Sequence, residues 1–284
     1  MKVGQVVKIH SGRYSVVSDG KSFVCSARGV LRVKSNGVVT GDIVEFDDKL
    51  LTINKVRERR SFFIRPSIAN VDAVNIVVAS PPKPDYLMLD KLLLTLHSQG
   101  VEVIISVNKT DLGGSVYTDI VNNYSMAGVT IVQVSAHTGE GVEQLRALLS
   151  GKLVAFAGQS AVGKSSLVNA LFGLNLRTND VSEKTQRGRH TTTVAEIYDF
   201  GDVRVADTPG FSVIKPDVLP EEAALFYPEY FERLEFCKFR SCTHVGEPGC
   251  RVRDDVDAGL LCRERYLRYK TILQELKEEQ DNKY

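Results

Sequence analysis

The chain has 284 residues, 43% of them hydrophobic and 25% charged, with a net charge of +1, a composition and length that suit a globular protein of roughly two or three domains. No apolar run approaches the ~18–20 residues of a bilayer-spanning helix, and the first residues, MKVGQVVKIHSGRYSVV, lack the basic, apolar and small-residue order of a secretory leader; neither membrane insertion nor secretion is expected, and the cytoplasm is. The near-neutral total conceals an asymmetry, since residues 1–65 hold thirteen Lys/Arg against six Asp/Glu, a surplus of seven positive charges, and the remainder carries a surplus of six negative ones.

Residues 1–65 read as five short strands. VGQVVKIH, RYSVVSD, KSFVCSA, DIVEFDD and LLTINKV are β-rich runs separated by Gly, Asp and Ser turns. Five such strands fit a small Greek-key barrel of the OB type, and SH3-like barrels share the signature. The stretch ARGVLRVKSNG places Arg28, Arg32 and Lys34 in a loop beside the barrel. Cations in this density suit a polyanion, because Lys and Arg beside phosphates release counterions; a solvated basic surface has the same composition.

Residues 66–222 change character. AVNIVVAS and VEVIISV are continuous apolar, β-branched runs of the kind found in buried parallel strands. Between them, DYLMLDKLLLTLHSQG has helical spacing and ends at Gly100, a C-cap residue. Further strands are predicted at TIVQVSA, KLVAFAG and DVRVADT, so this part is an α/β domain with helices on both faces of its sheet. Residues 223–284 hold a Cys/His cluster followed by a helix, on which Cys262, Tyr266, Tyr269, Leu273 and Leu276 recur as an apolar stripe. Cys262 and Cys25 are expected to be packed core residues.

Three strings in the middle part carry chemistry. Gly158-Gln159-Ser160-Ala161-Val162-Gly163-Lys164-Ser165, continued by Ser166, matches the phosphate-loop pattern and lies between an apolar strand and a predicted helix. Its glycines let the backbone wrap phosphate oxygens, its N–H groups and helix N-terminus meet the negative charge, Lys164 reaches the β- and γ-phosphates, and the Ser165 hydroxyl ligates Mg²⁺. Asp207-Thr208-Pro209-Gly210 ends another strand, where a carboxylate suits the Mg²⁺ shell and the Gly210 N–H the γ-phosphate. Asn108-Lys109-Thr110-Asp111 closes the strand VEVIISV. A carboxylate there accepts both the ring N–H and the amino group of guanine, and a site built for those donors rejects adenine. Lys109 would lie over the base, and Ser135-Ala136 would supply a backbone N–H to the guanine oxygen. In the last part, Cys237, Cys242, His244 and Cys250 offer three thiolates and an imidazole, a closed tetrahedral Zn²⁺ site with no open position. The flanking Lys238, Arg240, Arg251 and Arg253 could grip phosphates.

The order of the strings is unusual. Asn108–Asp111 and Ser135-Ala136 precede the phosphate loop, and Asp207 follows it, whereas ordinary GTPases place the phosphate loop first. A sheet survives such a circular permutation when the old termini are joined and the chain is cut at an exposed loop. The cut falls just beyond Asp207–Phe211, so this γ-phosphate-sensing loop runs directly into the C-terminal lobe. The permuted order, the string RGRHTTT (Arg187–Thr193), DTPGF (Asp207–Phe211) and the Cys/His cluster together resemble the bacterial small-ribosomal-subunit-dependent GTPases, the RsgA or YjeQ family.

That resemblance spans essentially the whole chain. It implies an N-terminal OB barrel (1–65), a circularly permuted P-loop GTPase domain (66–222) and a C-terminal zinc-binding helical lobe (223–284). It further implies GTP/GDP with Mg²⁺ and one structural Zn²⁺ as cofactors, and the 30S subunit and its 16S rRNA as partners of a monomer. The implied activity is subunit-stimulated GTP hydrolysis in late 30S maturation, with hydrolysis driving release. Among Thr191–Thr193 the resemblance favours Thr192 as the Mg²⁺ ligand of the GTP state. Phe211 stands where many GTPases carry a water-orienting glutamine, so intrinsic hydrolysis should be slow; His190 is the candidate for positioning the nucleophile, the other reading being that it contacts RNA or solvent. Phe211 also keeps open an rRNA-binding checkpoint protein that uses GTP as a conformational ligand.

Overall fold

The computed structural model describes residues 1–29, 31, 37–174, 195–207 and 216–282. His190, Thr192, Gly210, Phe211, Arg32 and Lys34 lie outside the described residues.

The first five strands are β1 (Lys2–His10), β2 (Arg13–Ser18), β3 (Lys21–Ala27), β4 (Ile43–Asp47) and β5 (Thr52–Val56). Antiparallel β1–β2, β2–β3, β4–β5 and β1–β4 pairings and a parallel β3–β5 pairing close them into a five-stranded OB-type barrel. Alternating residues point inward, and Val6, Tyr14, Val16, Cys25, Val44, Phe46 and Ile53 fill the interior. Cys25 is thus a core residue, as expected. A short hairpin, β6 (Phe62–Phe63) and β7 (Ile68–Ala69), leads out of the barrel.

The second part is built on β8 (Ala73–Val78), β9 (Glu102–Val107), β10 (Thr130–Gln133), β11 (Leu153–Ala157), β12 (Glu196–Asp199) and β13 (Arg204–Asp207), in the spatial order β10-β9-β8-β11-β13-β12. All neighbours are parallel except β12, which runs antiparallel to β13. Four helices, α1 (Tyr86–Ser98), α2 (Val116–Tyr124), α3 (Val142–Leu149) and α4 (Lys164–Phe172), cover the sheet. Leu89, Leu92, Leu93 and Leu96 of α1 and Ile120 and Tyr124 of α2 pack on one face with Val74, Ile76 and Ile105. Val142, Leu145 and Leu149 of α3 and Leu167 and Leu171 of α4 pack on the other with Val77, Ile104 and Val154. Successive strand residues feed opposite faces, which is why these strands read as unbroken apolar runs. Asp85 caps α1 through the Met88 N–H, 2.9 Å away, and Gly100 sits past its end at φ +64°.

Sequence reasoning missed β12, whose run EIYD buries only Ile197 and lacks an apolar signature. The strand carries the central sheet on into the barrel: Lys8 of β1 registers with Glu196 and its Nζ lies 2.8 Å from that carboxylate. Thr40 Oγ1 donates to the Ala195 carbonyl at 2.8 Å, and Arg204 donates to Gln5 at 2.7 Å. The barrel is thereby docked on the edge of the central sheet.

The last part contains α5 (Pro228–Leu234), α6 (Arg251–Asp257) and α7 (Arg263–Asp281). Tyr227, Tyr230, Tyr266, Tyr269, Ile272, Leu273 and Leu276 form its core, joined by Leu94 of α1. Cys262 is not part of the stripe: it is the half-buried N-cap of α7, with extended backbone that turns it off the buried face, and its Sγ lies 3.5 Å from Asn123 Oδ1. The stripe begins instead at Arg265 and Tyr266. No helix among the described residues is long and apolar enough to cross a membrane.

Arg265 is the anchor between this lobe and the central domain. Its side chain is 3% exposed and ion-pairs with Asp90 of α1 and with Glu229 of α5, the latter at 2.5 Å. Arg268 pairs with the other Asp90 oxygen and donates to Asn123 Oδ1 at 2.8 Å. The Arg265 guanidinium also lies 4.9 Å from the ring centres of Tyr124 and Tyr227. Removing one member of such a buried set leaves uncompensated charge, at a cost of about 3–5 kcal/mol. Arg265→Met should therefore lower the urea midpoint of unfolding substantially, whereas a midpoint equal to that of the parent would show that the network does not hold the lobe.

Candidate functional site

The parallel strands β8, β9, β10, β11 and β13 all end on one edge of the sheet, and the loops after them form the site, as in other open parallel sheets. After β11 the chain makes the loop 158–163 and enters α4 at Lys164. Gly158 has φ +132°, and a Cβ there would run into the Val77 carbonyl; Gly163 has φ +93°, and a Cβ there would strike the Asn108 amide. Both positions need glycine. Ala161 also takes a left-handed backbone, at φ +64°. Val162 is buried beneath the loop, Ser160 and Ala161 are exposed, and Ser165 and Ser166 lie half-buried in the first turn of α4. Lys164 folds back over the loop, its Nζ donating to the carbonyls of Gly158 at 2.7 Å and Gln159 at 2.6 Å, and burial lowers its pKa. Gln159 Oε1 accepts from the Asp85 N–H at 3.0 Å, tying the loop to the start of α1.

Asn108, 3% exposed at the end of β9, joins three loops. Its Nδ2 donates to the Val162 carbonyl at 2.9 Å, its Oδ1 accepts from the Ala136 N–H at 3.1 Å, and its own N–H donates to Val78 at 2.8 Å. Lys109, at φ +66°, reaches across so that Nζ donates to Pro81 and Ala161 carbonyls, each at 2.8 Å. Thr110 Oγ1 donates to Val134 at 3.1 Å. Asp111 is exposed, with one carboxylate oxygen 2.5 Å from Ser135 Oγ, which in turn accepts from the Thr138 N–H at 3.1 Å. The buried Ser135 thus fixes the Asp111 carboxylate, and the Ala136 N–H is engaged by Asn108. Asp207 ends β13 beside β11 and registers with Glu196 of β12.

The four sulfur and nitrogen donors also come together: the ligand atoms of Cys237, Cys242, His244 and Cys250 all lie within 4.8 Å of one another. His244 Nδ1 is 3.6 Å from Cys237 Sγ and 3.4 Å from Cys250 Sγ, while its buried Nε2 makes no hydrogen bond among the described residues, so Nδ1 is the nitrogen presented to the thiols. Burial pushes the Cys242 thiol up to about 12, raises that of Cys250, and pushes the His244 imidazole down to about 4. Left to themselves these buried donors stay uncharged, and a divalent cation is what makes thiolates stable among them. The spacing and the soft donor set fit tetrahedral zinc.

Sequence reasoning missed the group that shapes this centre. Glu247 accepts from the Thr243 N–H at 2.6 Å, Thr243 Oγ1 at 2.7 Å, Val245 N–H at 3.1 Å and Gly246 N–H at 3.0 Å. Burial works against its charge, but the hydrogen bonds from Thr243 and the loop backbone outweigh it and hold the carboxyl at about 2. It wraps the backbone around His244, which sits at φ +63°, and Tyr266 and Tyr269 hydroxyls clamp the carbonyls of His244 and Thr243 at 2.7 and 2.8 Å. A single acid in a Thr-His-Val-Gly-Glu string carries no recognisable ligand spacing.

Two family models match the chain: RsgA GTPase over residues 56–216 and the RsgA N-terminal domain over residues 3–51. A protein of Geobacillus sp. (strain WCH70), named small ribosomal subunit biogenesis GTPase RsgA, is 42% identical and aligns over 98% of both chains. A Moorella thermoacetica protein of the same name is 41% identical over 96% of this chain and 97% of its own. Among solved structures, YjeQ from Thermotoga maritima superposes with a TM-score of 0.83 at 34% identity, covering 97% of this chain and 98% of its own. YloQ, described as a circularly permuted GTPase, superposes with a TM-score of 0.81 at 28% identity, covering 98% and 96%. With family models over residues 3–51 and 56–216 and relatives aligned along nearly the full length, the chain belongs to the RsgA GTPase family.

Proposed function

We propose that this protein binds GTP along the carboxyl edge of the central sheet, hydrolyses it to GDP and phosphate, and acts in the late maturation of the small ribosomal subunit, leaving the 30S particle when hydrolysis is complete. The observation that carries the reading is the Asn108 bridge, which couples a phosphate-binding loop to a base-reading loop 54 residues away in sequence. Such a bridge fixes the separation of two half-sites, and a nucleotide is the ligand that has one end for each.

In this reading the Asp111 carboxylate, oriented by Ser135, accepts the two donors of guanine, and the aliphatic stem of Lys109 lies over the ring. Thr110 holds the loop to Val134, and the Ala136 N–H is shared between Asn108 and the guanine oxygen. The backbone N–H groups of 159–166 surround the phosphates, with Gly158 and Gly163 making the close approach possible, and Lys164 neutralises the β- and γ-phosphates. Ser165, and in the GTP state Thr192 with Asp207 behind it, would hold Mg²⁺, which would supply positive charge to the phosphates. Gly210 donates to the γ-phosphate, and His190 positions the attacking water. Water adds to the γ-phosphorus, the bond to the β–γ bridging oxygen breaks with its electron pair staying on GDP, and the water's protons leave with the phosphate product. The rRNA is met by the basic barrel and by the C-terminal lobe, through backbone and shape, and the protein acts in the cytoplasm.

Turnover measured with purified small subunits, large subunits and neither is the direct test. Strong stimulation by the small subunit alone is expected, with His190→Ala losing most of it while binding GTP as before. Equal rates in all three conditions would favour the checkpoint reading, and full stimulation of the His190→Ala protein would remove the histidine from the mechanism.

Cys237, Cys242, His244 and Cys250 hold one Zn²⁺ in this account, and a closed four-donor set makes the metal structural. Metal binding is then part of the folding free energy of residues 223–284. Chelation should release one equivalent of zinc and lower the thermal midpoint of the lobe. A lobe whose folding is indifferent to chelator contains no structural metal.

A further inference from the structure

The loop between the first two zinc-ligand positions has a surface that the lobe itself does not use. Phe236 is 65% exposed and Phe239 42% exposed. Neither ring belongs to the lobe's core, which is built from tyrosines and the apolar face of α7. Lys238, Arg240 and Ser241 are exposed as well, so of residues 236–241 only Cys237 turns inward.

The backbone beneath these side chains is fixed. The Cys237 N–H donates to Leu234 at 3.1 Å, the Lys238 N–H to Gly249 at 2.9 Å and the Cys242 N–H to Phe239 at 3.2 Å. Gly249 lies so close under Lys238 that a Cβ on it would stand 3.1 Å from the lysine Cβ. The aromatic rings therefore project from a knuckle pinned at both ends.

The cations around the cluster divide into two kinds. Arg251 is committed to Asp255 at 2.8 Å, Arg233 to the same carboxylate at 2.6 Å, and Arg253 to the Glu247 carbonyl at 3.3 Å. Lys238 and Arg240 make no ion pair among the described residues, and the Lys238 ammonium lies 5.7 Å from the Phe239 ring centre. The exposed acid nearest in sequence, Glu235, precedes the knuckle at the end of α5. Of the four flanking cations singled out in the sequence, the two between Cys237 and Cys242 are exposed and make neither an ion pair nor a side-chain hydrogen bond among the described residues.

Rings alternating with uncommitted cations on a fixed loop match one chemistry closely. Unpaired nucleotides offer flat apolar faces and an anionic backbone at alternating positions, whereas the bases of a duplex are already stacked on each other. An apolar protein surface would cover the rings but leave Lys238 and Arg240 without counter-charge. We infer that the knuckle 236–241 is a stacking platform for unpaired RNA bases, with Phe236 and Phe239 each taking a base face and Lys238 and Arg240 the adjoining phosphates. The inference rests on the small-subunit reading and deepens it, since it says what kind of RNA the C-terminal lobe takes. Stacking is tolerant of sequence, so the platform selects strandedness rather than a base code.

The test uses the full-length protein, its Phe236→Ala/Phe239→Ala variant, the corresponding double Leu variant and the double Tyr variant, each first shown to keep its zinc content and thermal midpoint. The probes are a single-stranded RNA oligonucleotide carrying 2-aminopurine, the same sequence as a duplex, and purified small subunits. The parent protein is expected to quench the 2-aminopurine and to prefer the single strand. The Ala and Leu variants should lose the quenching and about tenfold in affinity per ring, and the Tyr variant should keep both. Subunit binding should weaken in the same order, with the salt dependence unchanged because the phosphate contacts remain. Parent-like quenching and subunit binding by the Ala variant would overturn the inference, as would parent-like subunit binding by the Leu variant, which would make the face an apolar protein contact. A parent protein that quenches the oligonucleotide but ignores small subunits would instead leave the platform standing and remove the small-subunit reading.

Discussion

The side-chain amide of Asn108 is the interaction on which the geometry of the site depends. It donates to the phosphate loop at Val162, accepts from the loop after β10 at Ala136, and is itself held by the β8 backbone. Each partner is a backbone group in a tight loop, so losing the amide would leave a carbonyl and an N–H unsatisfied at about 1–3 kcal/mol each. The bridge also explains why Gly163 is glycine, since any Cβ there would occupy the space of the amide. In this permuted chain residues 112–157 join the two half-sites, and the Asn108 bridge holds them in register across that span.

The same edge of the sheet is tied outward in two directions. The barrel is docked on the edge of the sheet by Lys8 to β12, Thr40 to Ala195 just before it, and Gln5 to Arg204 of β13. The phosphate loop reaches α1 through Gln159 and Asp85, and α1 reaches the C-terminal lobe through Asp90, Arg265 and Arg268. His97 near the end of the same helix contacts the Phe226 carbonyl at 3.1 Å through Nδ1. The lobe is therefore joined to the nucleotide-binding edge by a packed, charge-paired helix as well as by the chain that leads on from Asp207. Any change in the attitude of the lobe must move against this buried network.

Much of this was legible in the residues because the signals were local. The barrel strands alternate, the parallel strands are unbroken apolar runs, and the phosphate and base loops are strings with a fixed chemistry. The three cysteines and one histidine of the cluster stand out by type and spacing. What could not be read depends on tertiary partners. The strand β12 has no apolar pattern, and its pairings carry the central sheet on into the barrel. Helices α5 and α6 are seven residues each and are ordered by tyrosine packing and the Cys/His loop rather than by periodicity. Asp90, Glu229 and Arg265, on three different helices, carry no mark of burial in the sequence and prove to be buried. Cys262 fell in step with an apolar stripe, yet a helix-capping backbone turns it away. Glu247 organises the Cys/His loop through backbone N–H groups, which no residue pattern announces.

The central claim is that Asp111 reads guanine while Lys164 holds the phosphates of the same molecule. Guanine presents two donors to a carboxylate, whereas xanthine presents one donor and one acceptor, the pattern an amide satisfies. The affinities of the Asp111→Asn protein for GTP and for xanthosine triphosphate measure this most directly. GTP should bind at least about a hundredfold more weakly, with the preference reversed in favour of the xanthine nucleotide. An Asp111→Asn protein that still binds GTP as tightly as the parent, and xanthosine triphosphate no better, would contradict it.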